Sequence, residues 1–364
     1  MKLTRKSIGR IAATFVATAM LATTLAVVPT SAAPIEAVDS VTFNQTLDMS
    51  GASGAGLPDV AISYTVSTTG FTIPEDTIAE VGVGSPTIQP VKFDGDPAPV
   101  GNVYTEPVTV DFSGVTFSHP GVYRYMITRD DSASTSLSAS DSDTRYLDVY
   151  VGWENYDDED GGAIPSNAKL VIYDYKLVTD VNNVPDADGT YTDTSAKSAG
   201  YENAYATTQL TVTKAVTGAM GDKDEMFSFT IDLTDSETSS VTVKIGDAAG
   251  TSQSTANPIR LDEAIKDGQT ITITGLPVGT DYTITETDAD GYETSYVGAT
   301  ASSSNTKEAS GTITDGTNAV TVTNNRDSVS PTGIMMDIAP YAVLVVIAAA
   351  GCFIFLRKRH AKED

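Results

Sequence analysis

Apolar and polar residues alternate in short runs through almost the whole interior of this 364-residue chain. VTVDFSGVTF, YLDVYVGW, KLVIYDYKLV, QLTVTKAV, FSFTIDL, TITITGL, DYTITET and AVTVTNN place apolar side chains at every second position, with Gly, Asp, Asn and Pro between the runs. A period of two belongs to a strand with one buried and one wet face, and turn residues between such runs mark antiparallel connections. No stretch carries the 3.6-residue period of a long amphipathic helix; LDEAIK (261–266) has room for a single helical turn. The pattern predicts an all-β protein of two tandem immunoglobulin-like β-sandwich domains. The division is expected near Ala206–Thr207, where YENAY closes one set of strands and QLTVTKAV opens another, giving domains over 33–206 and 207–325.

The two ends break the alternation. Lys2, Arg5, Lys6 and Arg10 precede an apolar stretch, Ile11 to Val28, and small residues from Thr30 to Ala33, which reads as a secretory signal peptide over 1–32 with cleavage after Ala32. At the other end, Ile338 to Leu356 is uncharged for nineteen residues. As a helix rising about 1.5 Å per residue it would just cross a bilayer core of about 30 Å. Arg357, Lys358 and Arg359 follow and would hold the tail on the cytoplasmic side.

Between these ends the charge is extreme. The signal segment holds four basic residues and no acids, and the stretch after Thr332 four basic and three acidic ones, leaving 14 Lys and Arg against 45 Asp and Glu. Such a surface excludes nucleic acid as a partner. The single cysteine, Cys352, sits in the apolar stretch, so the secreted part has no disulfide chemistry. With no second cysteine and one histidine, His119, outside the signal and tail, neither a histidine metal site nor a cysteine nucleophile has material; no cofactor and no metal are expected. The acidic turns at 156–162, 185–189 and 287–291 lack calcium-loop spacing and read as turns.

Strand parity singles out three polar residues. Lys214 shares a face with Leu210 and Val212, Glu286 with Tyr282 and Ile284, and Asn324 with Val320 and Val322. All three therefore point inward on the first, a late and the last strand of the second domain, where an isolated charge is costly. A lysine in the first strand, a glutamate closing a Tyr-x-Ile-x-Glu strand and an asparagine in the last resemble the collagen-adhesin B-type and SpaA-like domains of Gram-positive surface proteins. The resemblance implies an intramolecular isopeptide bond between Lys214 and Asn324, with Glu286 as proton shuttle. Burial favours the neutral forms of amine and acid that this reaction needs. The amine would attack the side-chain carbonyl carbon of Asn324 while Glu286 polarises that carbonyl, and ammonia would leave. One turnover per molecule is maturation, so the protein is not expected to be an enzyme. A buried Lys–Glu ion pair beside a hydrogen-bonded Asn is the alternative, and Asn325 is an alternative acceptor of the wrong parity.

VTFNQTLDM, VDFSGVTFSHPGVYRYMITRD, RYLDVYV and YENAY give the first domain a resemblance to the streptococcal pilin isopeptide linkage domain. Where that family carries its lysine, glutamate and asparagine, this chain has Gln45, Arg129 and Asn203. The resemblance therefore implies a domain that keeps the fold and has lost the bond, with Asp130 or Asp131 beside Arg129. Lys92, Lys169, Lys176 and Lys197 are the lysines left for an unorthodox link.

Val329-Ser330-Pro331-Thr332-Gly333, followed by the apolar stretch and the basic tail, resembles a sortase sorting signal spanning 326–364, although Val329 and Ser330 stand where Leu and Pro are usual. It implies transfer of the Thr332 carboxyl by sortase to a peptidoglycan cross-bridge or to a lysine of a pilin subunit, Lys169 and Lys176 being the candidates for polymerisation. The expectation is a secreted, cell-wall-anchored structural or adhesive protein that passes through a single-span membrane stage. An anchored hydrolase, carbohydrate-active or otherwise, and a membrane-anchored stalk that sortase does not process are the open alternatives; an adhesion ligand is not legible.

Overall fold

The structure, a computed structural model, describes residues 39–327 apart from 75–76, 155–167, 187–189, 192, 195, 235–236, 255–257 and 302–305, together with 341, 343–350 and 352. The signal segment, the 329–333 motif and the 156–162 turn lie outside the described residues. So does much of the 338–356 segment, of which 343–350 are helical and exposed. Among the described residues no helix is long and apolar enough to cross a membrane.

Ten strands precede Thr207: β1 (Ser40–Gly51), β2 (Ser63–Ser67), β3 (Ala79–Val81), β4 (Thr87–Ile88), β5 (Val103–Asp111), β6 (Gly121–Asp130), β7 (Leu137–Ala139), β8 (Thr144–Trp153), β9 (Leu170–Val178) and β10 (Gly200–Ala206). They form one sheet in the order β4-β5-β1-β10-β7 and a second in the order β2-β6-β8-β9, with β3 added to β6. Eleven follow: β11 (Thr208–Thr217), β12 (Phe227–Thr234), β13 (Ser240–Ile245), β14 (Thr251–Ser254), β15 (Ile259–Ile265), β16 (Thr270–Leu276), β17 (Asp281–Glu286), β18 (Glu293–Val297), β19 (Thr300–Ala301), β20 (Glu308–Thr312) and β21 (Asn318–Asn325). These build sheets β14-β13-β16-β11-β21-β18 and β15-β12-β17-β20-β19.

Alternation decides what each sheet buries. Along β11, Leu210, Val212, Lys214 and Val216 are buried while their neighbours are half-exposed, the HPHP order of a half-buried strand. Ile271, Ile273 and Val322 on neighbouring strands of the same sheet and Phe227, Phe229, Ile231 and Ile284 from the facing sheet complete this core. A separate core around Phe43, Leu47, Val108, Tyr125, Leu147, Val149 and Tyr201 fills the first pair of sheets. The helical turn expected at LDEAIK is instead part of β15, paired with β12 from Leu233↔Ile259 to Phe227↔Ile265. Ile259, Leu261 and Ile265 are buried there, and a single isolated turn has no comparable burial to offset its nucleation cost.

In both sandwiches the first and last strands lie side by side and parallel, β1 with β10 and β11 with β21. Parallel neighbours cannot be joined by a hairpin, so the rest of each sandwich is the connection between them.

The segment after β1 reaches across to the second sandwich. Gly56 N donates to Ser240 O at 3.0 Å and Ser239 N to Leu57 O at 3.2 Å, while Pro58 and Thr238 form an antiparallel bridge. Gly275, at φ 88°, permits this approach, because a Cβ there would lie 2.6 Å from Ala55 N and from the Gly54 carbonyl carbon.

Candidate functional site in the second sandwich and its counterpart in the first

Lys214, Glu286 and Asn324 come together between the two sheets, each with no exposed surface. In register, Lys214 stands opposite Val322 and Val216 opposite Asn324, so the amide lies two residues beyond the lysine on the neighbouring strand. Glu286 comes from the facing sheet, at the end of β17. Lys214 Nζ is 2.8 Å from Glu286 Oε1. Asn324 Nδ2 donates to the same Oε1 at 3.0 Å. The phenyl rings of Phe227 and Phe229 close over the amine, with Nζ 4.4 Å and 5.9 Å from their centroids. Burial lowers the pKa of the Lys214 amine from its ordinary 10.5, against the opposing pull of Glu286, Asp267 and Glu225.

The orientation of the Asn324 amide differs from the sequence expectation. Its NH2, not its carbonyl oxygen, faces Glu286. The carbonyl oxygen accepts from Thr294 Oγ1 at 3.0 Å, and that hydroxyl is also 3.4 Å from Glu286 Oε2. Thr294, 5% exposed, sits opposite Asn324 across the β18–β21 ladder. Sequence reasoning missed it, although the register of ETSYV against AVTVTNN would have exposed it. Asn325 turns the other way, with Oδ1 accepting from Thr217 Oγ1 at 3.1 Å.

The first sandwich repeats this layout with different side chains. Gln45 stands opposite Tyr201 and Leu47 opposite Asn203, the same two-residue offset between first and last strand. Arg129 reaches in from β6 of the facing sheet, as Glu286 does from β17. Gln45 Nε2 and Arg129 NH1 both donate to Asn203 Oδ1 at 3.0 Å. Tyr64 OH donates to Gln45 Oε1 at 2.7 Å, and Asn203 Nδ2 donates to Asp131 Oδ2 at 2.6 Å. Arg129 also pairs with Asp143 at 2.7 Å and Asp141 at 3.1 Å, two acids that sequence reasoning missed because they arrive from the turn before β8. Asp130 points outward and caps Ser132. Here every nitrogen is an amide or a guanidinium, so the cluster holds no nucleophile and cross-links the strands through hydrogen bonds alone. Of the remaining lysines, Lys92 pairs with Asp59 at 2.7 Å, Lys176 lies 3.5 Å from Asp174, and Lys169 and Lys197 are exposed.

A second polar cluster lies on the outer face of β6 and β8. Arg124 and Asp148 stand opposite one another in register and are fully buried, bridged by Nε–Oδ1 and NH2–Oδ2 contacts of 2.6 Å each. Arg124 also donates to Val181 O at 2.6 Å and Asn183 O at 2.7 Å, and Tyr191 OH donates to Asp148 Oδ2 at 2.7 Å. Residues 181–183 and Tyr191 are thereby strapped over β6 and β8, beside a small apolar cluster of Val122, Tyr150, Val178, Val184 and Tyr191.

Comparison with known proteins places this architecture. A family described as a domain of unknown function (DUF7601) matches residues 208–326. A pilin of Streptococcus pyogenes serotype M1 is 29% identical over 276 residues, covering 72% of this chain and 74% of the pilin. The pilus tip adhesin Cpa of Streptococcus pyogenes is 34% identical over 131 residues, 36% of this chain and 18% of the adhesin. Among solved structures, the major pilin from Streptococcus pyogenes superposes with a TM-score of 0.57 at 24% identity, covering 80% of this chain and 99% of the pilin. The major pilin T3.2 of serotype GAS13637 gives 0.55 at 22% identity, over 81% and 100% of the two chains. The chain is thus homologous to streptococcal pilin and to the pilus tip adhesin Cpa, and its fold is that of the major pilins.

Proposed function

We propose that this chain is a structural subunit or adhesive component of a cell-surface pilus, built from two sandwich domains divided at residues 206 and 207, and matured by one internal isopeptide bond. The observation that carries this reading is the fully buried contact of Lys214, Glu286 and Asn324 across the parallel first and last strands. One carboxylate oxygen touches both the attacking nitrogen and the nitrogen that must leave. A proton passed from the ammonium to Glu286 frees the Lys214 lone pair. The amine then adds to Asn324 Cγ, the Cγ–Nδ2 bond breaks, and protons shed by the amine reach Nδ2 through Glu286, so that ammonia leaves. Nothing is oxidised or reduced, and the product is a secondary amide between the two strands.

In this reading the first domain carries no covalent link. The signal segment directs secretion, and sortase cleaves between Thr332 and Gly333, joining the chain to a pilin subunit or to the wall. Pilin homology supports fellow subunits as partners. Of the two lysines marked for polymerisation, Lys169 is exposed, whereas Lys176 is half-buried beside Asp174.

Intact mass of the chain over residues 33–332 tests the bond. The parent is expected to weigh one ammonia less than its sequence, and Lys214→Ala and Glu286→Ala the full sequence mass. A parent at full mass removes the bond from the reading. Wall extracts test assembly: SDS-resistant ladders mark a polymerised subunit, and a single wall-linked band a monomeric adhesin.

A further inference from the structure

The reaction drawn above leaves one charge without a partner. When the amine adds to Asn324 Cγ, negative charge gathers on Oδ1, and Glu286 faces the other end of the amide. We propose that Thr294 is a catalytic residue of bond formation, donating its hydroxyl hydrogen to the Asn324 oxygen as the tetrahedral intermediate forms; this rests on the isopeptide reading.

Three observations carry it. The hydroxyl already donates to Oδ1 at 3.0 Å, in a site closed to water, where a preorganised donor is worth most. The same oxygen lies 3.4 Å from Glu286 Oε2. The hydroxyl has one hydrogen to give, and Asn324 Oδ1 at 3.0 Å is the nearer acceptor, while the proton traffic of Glu286 runs through its other oxygen, Oε1. Thr294 thus divides the labour: Glu286 moves protons between two nitrogens, and the hydroxyl holds the oxygen.

The third observation comes from the first sandwich. There β7 runs antiparallel to β10 as β18 does to β21, and the residue opposite Asn203 is Ala139. Directly opposite residues on antiparallel strands share a face. The position that holds a buried hydroxyl in the second sandwich is an exposed alanine in the first, where lysine and glutamate are also missing. Three positions differ together between two sites of matching register that share the asparagine.

The test is the time course of ammonia loss, followed by intact mass, after dilution from denaturant of a 33–332 chain recovered unfolded at its full sequence mass, before any bond has formed. Thr294→Val, which keeps the shape and removes the hydroxyl, is expected to slow the loss about a hundredfold, the usual effect of deleting one such donor. Thr294→Ser is expected to restore most of the rate. In a Lys214→Ala background, where no bond forms, Thr294→Val and Thr294→Ser report by their unfolding midpoints the cost of the lost hydrogen bond and of packing alone, which separates these from chemistry. Should Thr294→Val misfold, Thr294→Ala against Thr294→Ser provides the same comparison. Parental kinetics in a folded Thr294→Val or Thr294→Ala chain overturn the proposal while the isopeptide bond stands. Absence of ammonia loss from the parent instead sinks the reading beneath it. Ammonia loss that survives Lys214→Ala but not Thr294→Val would make the hydroxyl the nucleophile of an ester, and also overturns the role assigned here.

Discussion

Because Gln45, Arg129 and Asn203 occupy the register positions of Lys214, Glu286 and Asn324, the missing bond of the first sandwich is expected to be restorable. The perturbation is Gln45→Lys with Arg129→Glu. Asn203 already lies two residues past the partner of Gln45, within hydrogen-bond reach of position 45 and of position 129. The new glutamate would sit among Asp131, Asp141 and Asp143, whose negative charge favours its protonated form, the form that passes a proton on. A bond from residue 45 to residue 203 closes a loop of roughly 160 residues, for which the chain-entropy relation gives about 5 kcal/mol. For a unit of this size that corresponds to a rise of about 10 to 20 °C in the transition of the first sandwich. Intact mass and a thermal scan are the assays: the double variant should lose one ammonia more than the parent and melt higher. Gln45→Lys alone should lose none beyond the parent and melt lower, since it sets an ammonium beside Arg129. Adding Ala139→Thr should hasten the loss. A double variant with native circular dichroism and no additional ammonia loss, even with Ala139→Thr, would refute the equivalence of the two sites.

Three further outcomes follow from other parts of the structure. Arg124→Met leaves the Asp148 carboxylate buried without its ion-pair partner and should cost about 3 to 5 kcal/mol in urea unfolding of the first sandwich, whereas Arg124→Met with Asp148→Leu should recover most of it. In Asn324→Ala, which cannot form the bond, Lys214 has a lowered pKa when folded and its ordinary 10.5 when unfolded. Between those two values the unfolded chain binds more protons, so stability should rise as the pH climbs toward 10.5, and the lysine's share of that slope should vanish in a parent carrying the proposed bond, where Lys214 is an amide. Gly275→Ala should open the junction, because its Cβ would collide with the Gly54–Ala55 backbone, and faster proteolysis of the 52–59 segment would report it.

Parity made the second sandwich legible. Lys214, Glu286 and Asn324 sit on strands whose apolar partners leave one choice of face, so their burial follows from the sequence pattern, whereas their meeting at one point was implied by the family resemblance and rests on the pairing of β11 with β21. Thr294 escaped because β18 is an edge strand of mixed burial, and only its pairing with β21 brings the hydroxyl to the amide. The Arg124–Asp148 pair escaped for another reason. In GVYRYMITRD the arginine falls on the face away from the main core, which alternation assigns to water. Residues 181–183 and Tyr191 cover that face after returning from far along the chain, and β6 is consequently buried on both sides over Val122 to Tyr125. LDEAIK misled because two apolar residues four apart, Leu261 and Ile265, fit a helical turn as well as a strand. Pairing with β12 settled it.

The side-by-side, parallel arrangement of first and last strands has a mechanical meaning for a protein pulled by its two ends. Load entering β11 at Thr208 and leaving β21 at Asn325 acts along the strands, so it strains their hydrogen bonds together in shear rather than one at a time. With Lys214 joined to Asn324, the force crosses from strand to strand near the exit, and the roughly 110 residues between them bear none of it. The first sandwich has the same shear geometry, held only by hydrogen bonds and ion pairs around Gln45, Arg129 and Asn203. When those give way, the chain from residue 45 to residue 203 can pay out roughly 500 Å at about 3.3 Å per residue. Under the proposed linkage one half of the molecule would be an inextensible link and the other a reserve of length.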